Sequence, residues 1–343
     1  MPAACRSLLV LAAGFAASAA SCATPARPPE PPAETTPVTP STPPPATTTA
    51  APEAAKGPLQ VAITVDDLPR HGPPVRGVTD LEIHRRLLTA FAAHDVPQVY
   101  GFVNAQKLEA APELRSALEA WTEAGHPLGN HTFTHPSLRA MSVDDFYVDI
   151  AKNEPLLDEL ALDGRRVPTF RYPFLLEGMT RQDTLDIRAH LLERGYRIAP
   201  VTIDFYDWAF NPPYARCVAQ NNEAAIEALR ETFLLHALEM LDWADAAALD
   251  LYGRRVPHVM LLHSGSFAAE MIEPLLVAME KRGVRWVPLD TALADPIYAD
   301  LPVHDGRNQG TLLDMAIDAG GAPHPPWNMH PDALLAVLCT NPS

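Results

Sequence analysis

Short apolar runs alternate with longer helical patterns between residues 59 and 295, and this alternation constrains the fold more than any other feature. The runs are rich in β-branched and aromatic residues, as buried strands are. The predicted strands are 61–65, 98–103, 127–129, 169–172, 197–203, 258–262 and 284–287. The predicted helices are 80–94, 111–124, 142–160, 180–194, 223–251 and 268–282.

Glycine residues mark the ends of several predicted helices. Gly125, Gly195 and Gly283 each follow a helical pattern and precede an apolar run, a position where glycine commonly stops a helix. Strands that alternate with helices pair in parallel through crossover connections. We therefore expect an α/β fold, a distorted (β/α)7-type barrel with parallel strands and an active site at the C-terminal ends of the strands. A doubly wound open sheet is the alternative.

Residues 1–22 are typical of a signal peptide. Residues 8–20 are almost wholly apolar and follow Arg6, a run too short to span a membrane but suited to a secretory signal. The residues ending at Cys22 resemble a bacterial lipobox, whose cysteine is lipidated; ordinary cleavage a few residues earlier is the alternative. We expect an exported protein, in the periplasm or at the cell surface, whose membrane contact comes only from a lipid anchor at Cys22.

Composition divides the remaining chain into three regions. Residues 23–58 are dominated by Pro, Thr and Ala, and such a segment buries too little apolar surface to fold, so we predict a disordered linker. Residues 59–295 carry the strand and helix pattern and form the predicted catalytic domain. Residues 296–343 are expected to be an irregular C-terminal tail packed on that domain.

Charge and cysteine content narrow the functional classes. The formal net charge is −16, which argues against nucleic-acid binding because phosphate neutralisation needs a basic face. Cys217 and Cys339 are the cysteines of the folded part. In an oxidising compartment they could pair and tie the tail to the domain, and two buried thiols are the alternative.

Polar side chains follow the ends of the predicted strands. They are Asp66 and Asp67, His131 and His135, Arg171, Asp204 and Asp207, and His263. The ends of parallel barrel strands meet at one mouth, so we expect these side chains to converge. Two histidines four apart would lie on one side of a helical turn and reach one ion. With one aspartate as a third ligand, the adjacent aspartate remains available as a base.

Five short segments at these strand ends, in order, resemble the motifs of the polysaccharide deacetylases, also called carbohydrate esterase family 4 or the NodB homology domain. They are Thr-Val-Asp-Asp at 64–67, His-Thr-Phe-Thr-His at 131–135, Arg-Tyr-Pro-Phe at 171–174, Asp-Phe-Tyr-Asp-Trp at 204–208 and Leu-Leu-His at 261–263. The resemblance extends over residues 59–293, most of the predicted folded region.

The resemblance implies a metal site and a catalytic base. Asp67, His131 and His135 would bind one divalent ion, with Zn²⁺ the first candidate and Co²⁺, Ni²⁺ or Mn²⁺ as alternatives. Asp66 would take a proton from the attacking water, and Arg171 would hold Asp66 through a charge-assisted contact.

The remaining implied roles concern the leaving group and the substrate. His263 would protonate the departing amine, and Asp204 would lie next to it and keep it charged. Asp207 is expected to make structural hydrogen bonds instead. The backbone N–H of Phe174 would contact the developing oxyanion, while Trp208 and Leu261 would line the pocket for the acetyl methyl.

The implied activity is metal-dependent removal of N-acetyl groups from a polysaccharide that contains N-acetylglucosamine, with release of acetate. Peptidoglycan is the favoured substrate because of the expected lipid anchor and the linker that follows it. Chitin-like or exported glycan oligomers, an O-acetyl ester substrate, and a catalytically inactive glycan-binding lipoprotein are the alternatives. Leu175, Leu176 and the long helix at 223–251 depart from the family pattern and are expected to shape the substrate groove.

Overall fold

A computed structural model describes residues 57–72, 74–320 and 331–340. The predicted signal peptide, Cys22 and nearly all of the predicted linker lie outside these residues. In the described part of the chain, no helix combines the length and apolarity that a bilayer span requires.

Parallel strands form the main sheet. In chain order the strands are β1 (Leu59–Leu68), β2 (Tyr100–Val103), β3 (Leu128–Asn130), β4 (Thr169–Phe170), β5 (Leu176–Gly178), β6 (Arg197–Ile198), β7 (His258–His263), β8 (Val284–Trp286) and β9 (Asn308–Gln309). The main sheet has the order β6-β4-β3-β2-β1-β7, with β8 beside the start of β1. Strands β5 and β9 form a separate antiparallel pair. All seven predicted strands are present, with shifted ends.

The sheet curls until the segment after β6 meets β7. The Thr202 N–H donates to the Val259 carbonyl over 3.0 Å, and the Leu261 N–H donates to the Ile203 carbonyl over 2.9 Å. Ile203 and Met260 form a parallel bridge. The chain therefore forms the predicted distorted barrel with parallel strands, and not a doubly wound open sheet.

Helices surround the curled sheet. They are α1 (Asp80–Ala93), α2 (Lys107–Ala110), α3 (Arg115–Glu123), α4 (Val143–Glu159), α5 (Arg181–Glu193), α6 (Asn211–Ala219), α7 (Glu223–Tyr252), α8 (Ser266–Lys281), α9 (Leu289–Leu293), α10 (Leu312–Asp318) and α11 (Asp332–Val337). The hydroxyls of Thr79, Ser142 and Thr180 accept backbone N–H groups at the starts of α1, α4 and α5. These side-chain caps satisfy donors that a helix leaves unpaired, which fixes where the helices begin.

Helix α7 belongs to the core and does not shape the cavity at the strand ends. It buries Phe233, Met240 and Leu241, and the Phe233 ring packs against the rings of Phe205 and Phe267. Its packing partners include α6, α8 and α10. The groove-shaping role predicted for residues 223–251 is therefore wrong, because the apolar residues of this helix pack in the barrel core.

The C-terminal region is more ordered than predicted. It contains β9, α10 and α11, and α10 begins with a reciprocal capping box between Thr311 and Asp314. Cys217 and Cys339 form a disulfide with an S–S distance of 2.15 Å. The disulfide joins this region to α6, and short helices occupy part of its described residues.

Candidate active site

The strand ends converge on one cavity of about 350 Å³. Its lining residues are Asp66, Asp67, His71, His131, His135, Phe174, Leu175, Asp204, Tyr206, Trp208, Leu261, His263, Gln309 and Gly310. Every residue with a predicted catalytic, metal-binding or substrate-contacting role lines this cavity except Arg171, which is buried behind Asp66. Asp207 is also buried and does not line the cavity. Of the residues expected to shape the groove, Leu175 is in the wall.

Asp67, His131 and His135 can hold one ion together. One ligand atom from each lies within 4.8 Å of the others, and Asp67 Oδ1 is 3.6 Å from His135 Nε2. His131 Nδ1 is 2.8 Å from the Arg171 carbonyl, so Nδ1 carries the proton and Nε2 is left with a lone pair. Burial lowers the pKa of both histidines, which favours the neutral imidazoles that a metal requires.

The segment from His131 to His135 is not a helical turn, contrary to prediction. Thr132 and His135 have left-handed φ angles of 67° and 56°. Asn130 Oδ1 accepts the Thr132 N–H over 2.8 Å. Asp149 Oδ2 accepts the N–H groups of Phe133 and Thr134, each over 2.9 Å. These side chains replace the hydrogen bonds of a helix and hold both imidazoles toward the cavity.

Asp66 is a buried carboxylate held by Arg171. The Arg171 guanidinium nitrogen NH1 is 3.2 and 3.3 Å from the two Asp66 oxygens. Arg171 also donates to the Ala199 carbonyl over 2.6 Å and lies over the Phe102 ring, 4.6 Å from its centroid. Burial raises the pKa of Asp66 to about 6, although Arg171 opposes the increase. The predicted contact between Arg171 and Asp66 is present.

Asp207, and not Asp204, is the hydrogen-bonding partner of His263. Asp207 Oδ1 is 2.8 Å from His263 Nδ1, and Asp207 Oδ2 accepts the His263 backbone N–H over 2.7 Å. Burial lowers the pKa of His263, but Asp207 outweighs burial and raises it to about 9.

A turn between the two aspartates explains why Asp207, and not Asp204, contacts His263. Tyr206 has a left-handed φ of 61°, and its N–H donates to Asp204 Oδ1 over 3.0 Å. The turn sends Asp207 beneath the end of β7, at the start of a 3-10 turn (Asp207–Phe210). Asp204 stays in the cavity wall, where burial raises its pKa to about 6.

The Asp67 carboxylate is surrounded by donors, two of which the motif pattern did not predict. His71 Nδ1 lies 2.7 Å from Asp67 Oδ2. Lys107 Nζ donates to the Asp67 carbonyl over 3.0 Å and lies 3.5 Å from Oδ1. Burial raises the pKa of Asp67, but Lys107, His71 and His135 outweigh burial and hold it well below its usual range. The sequence feature that could have pointed to Lys107 is its position shortly after the end of β2, at the same edge of the sheet as the other site residues.

The rim of the cavity is aromatic and open. Phe174 and Trp208 are 53% and 42% exposed, whereas Leu261 is buried. Gln309 from β9 donates to the Phe174 carbonyl over 3.1 Å and accepts from Arg139 over 2.5 Å. The C-terminal region therefore supplies part of the wall, which no local pattern in that region indicated.

Comparison with known proteins agrees with the motifs. Residues 54–191 match the family model for polysaccharide deacetylase. A peptidoglycan-N-acetylglucosamine deacetylase from Bacillus cereus is 28% identical over 151 residues, which are 43% of this chain and 46% of that protein. A chitin deacetylase from Arthroderma benhamiae is 24% identical over 211 residues, 61% of this chain and 48% of that protein. The chain thus spans about half the length of these relatives.

The solved structures are less similar in sequence to this chain than these two relatives are. A peptidoglycan deacetylase from Bacillus subtilis aligns with 70% of this chain and 92% of that chain, at 16% identity and a TM-score of 0.46. Residues 54–191 are therefore the part of this chain that matches the polysaccharide deacetylase family, in agreement with the motifs of the sequence.

Proposed function

We propose that this protein hydrolyses N-acetyl groups of a polysaccharide containing N-acetylglucosamine, that the reaction needs a divalent metal, and that peptidoglycan is the first substrate. The observation that carries the proposal is the position of two proton-transfer groups beside one candidate metal cluster. Asp66 and His263 are register partners on β1 and β7. His131 Nε2 is 3.6 Å from Asp66 Oδ2, so the base adjoins a candidate ligand.

The donor set fits a catalytic divalent ion. Two neutral imidazoles and one ionised carboxylate leave coordination positions open. A bound ion would lower the pKa of a water molecule and polarise the acetyl carbonyl. Zn²⁺ is the first candidate, and Co²⁺, Ni²⁺ and Mn²⁺ accept the same ligands.

The chain's own residues would manage the protons. Asp66 accepts a proton from the attacking water, and Arg171 fixes the orientation of its carboxylate. His263 donates a proton to the departing sugar amine, while Asp207 fixes its ring and keeps it charged. We assign Asp204 to the cavity wall. The Phe174 N–H would stabilise the oxyanion, and Trp208 and Leu261 would contact the acetyl methyl.

Two observations support a polymeric substrate. The cavity opens to a rim with the exposed aromatic rings of Phe174 and Trp208, surfaces on which flat sugar faces can pack. The two relatives described above are named for peptidoglycan and chitin. Peptidoglycan is preferred because we expect an exported protein, with or without a lipid anchor at Cys22. Chitin-like or exported oligomers follow, and then O-acetyl esters.

A substrate panel tests this proposal. Metal-loaded protein is incubated with N-acetylated peptidoglycan glycan, chitooligosaccharides and acetylated xylan, and released acetate is measured. The proposal predicts release from both amino-sugar substrates, with peptidoglycan faster, and little release from xylan. Release from xylan alone would show an O-acetyl esterase. Glycan binding without any acetate release would show the inactive lipoprotein alternative.

A further inference from the structure

The loop after β1 holds His71 against the candidate metal cluster. The His71 N–H donates to the Ser264 carbonyl over 3.2 Å. Its neighbour Arg70 forms a two-point contact with Asp80, over 2.8 and 2.6 Å. Because the loop is tied both to the end of β7 and to the start of α1, the backbone of His71 is held beside the candidate metal cluster.

His71 contacts one oxygen of Asp67 and leaves the other to the cluster. His71 Nδ1 is 2.7 Å from Asp67 Oδ2, whereas Oδ1 faces His135 Nε2 at 3.6 Å. An ionised carboxylate has no proton to give, so His71 must donate from Nδ1. The two oxygens of Asp67 therefore have separate partners.

The same imidazole packs against the proposed acid. The centroids of the His71 and His263 rings are 4.8 Å apart, and the ring planes are tilted by 56°. Asp207 holds the Nδ1 side of the His263 ring. His71 consequently touches a candidate metal ligand and the proposed proton donor at the same time.

We propose that His71 is a positioning residue that restricts Asp67 to one-oxygen metal coordination and supports the ring of His263. The proposal rests on the metal cluster of the proposed function. Ligands that are hydrogen-bonded by neighbouring side chains keep their orientation and bind metal more tightly. Asp67, His71 and His263 also place one ligand atom each within 4.8 Å of the others, so a second ion held by His71 is the competing arrangement.

Metal titration of the full chain tests the proposal without a substrate. Metal-stripped wild type, His71→Ala and His71→Asn are titrated with Zn²⁺ against a chromophoric chelator. We expect His71→Ala to weaken Zn²⁺ affinity by about 10–100-fold. His71→Asn should recover part of the loss, since its amide can donate to Asp67 Oδ2 from the position of Nδ1.

His94→Ala is the matched control. His94 contacts the surface carboxylates of Glu273 and Glu280 and does not line the cavity, so its loss should leave Zn²⁺ affinity within about twofold of wild type. In the deacetylase assay, kcat should fall in His71→Ala more than KM rises, because the variant disturbs the metal and the acid and leaves the aromatic rim unchanged.

Two results would overturn the inference. Unchanged Zn²⁺ affinity in His71→Ala, with native far-UV circular dichroism, would show that His71 does not orient Asp67. Two ions per wild-type chain and one per His71→Ala chain would make His71 a ligand. If His71→Ala does not fold, the comparison of Zn²⁺ affinity between His71→Asn and wild type decides. Absence of acetate release from wild type would reject the proposed function while leaving the affinity comparison intact.

Discussion

Asp66 on β1 and His263 on β7 lie directly opposite each other in a parallel strand pair. Their surroundings raise the pKa values of both side chains. Burial raises the pKa of Asp66 to about 6, and Asp207 raises the pKa of His263 to about 9 against the effect of burial. Near pH 7.5 the carboxylate is ionised while the imidazole is charged, as a base and an acid must be.

A bell-shaped pH profile is therefore expected for kcat/KM of acetate release. Activity should fall on the acid side as Asp66 gains a proton, at or below about pH 6, since a bound cation favours the ionised carboxylate further. It should fall on the alkaline side as His263 loses its proton, at or below about pH 9, since the same cation disfavours the charged imidazole. Initial rates at subsaturating substrate measure the profile. A rate that still rises above pH 9 would contradict the acid role of His263.

Replacement of Asp207 should move the alkaline side of that profile. Asp207→Asn removes the charge that raises the His263 pKa, so the alkaline limb should shift to lower pH and kcat should drop by more than about tenfold. Asp204→Asn is the matched control, because it changes a carboxylate of the same segment whose hydrogen bond is to the Tyr206 N–H, while the Asp207 contact with the His263 ring remains. A shift of the limb in Asp204→Asn alone would restore the original sequence-based assignment.

Arg171→Met should strongly destabilise the fold. It leaves the buried Asp66 carboxylate without its guanidinium partner, and loss of one member of a buried ion pair costs about 3–5 kcal/mol. Urea unfolding monitored by circular dichroism gives the free energy of unfolding. The double variant Asp66→Asn/Arg171→Met should recover part of the loss, because the uncompensated charge is gone. Equal stabilities of the single and double variants would argue against this pair.

Acid should destabilise the protein through histidines outside the site. Burial lowers the pKa of His84 and of His258 from 6.5 to about 4. Between pH 6.5 and pH 4 the unfolded chain binds more protons than the folded chain. The contribution of these histidines to the free energy of unfolding is therefore fully present above pH 6.5 and is lost as the pH falls towards 4. Unfolding free energies measured across this window check the sign. His258→Leu should show a shallower decline, and an unchanged slope would contradict the contribution of His258.

Motif order predicted which residues meet, because parallel strand ends share one edge of the barrel. Asp66, Asp67, His131, His135 and His263 occupy one cavity as expected. The local conformation between motif residues was not predictable from the same pattern. The exchange of Asp204 for Asp207 depends on the left-handed turn at Tyr206, and sequence spacing alone does not show such a turn.

Contacts from distant segments account for the other differences. Asp149 on α4 organises the loop between His131 and His135, and a helical residue gives no periodic signal for that role. Strand β9 is too short to show an alternating pattern, yet it brings Gln309 to the cavity wall. Such contacts are visible only once the chain is folded.

Acetate release by the metal-loaded protein from N-acetylated peptidoglycan glycan tests the central claim most directly. Wild type and Asp66→Asn are compared after treatment with a chelator and after metal is restored. The account predicts release by wild type that is abolished by chelation and recovered with metal, and a loss of at least about 100-fold in Asp66→Asn. Equal rates in wild type and Asp66→Asn, or release that persists without metal, would contradict it.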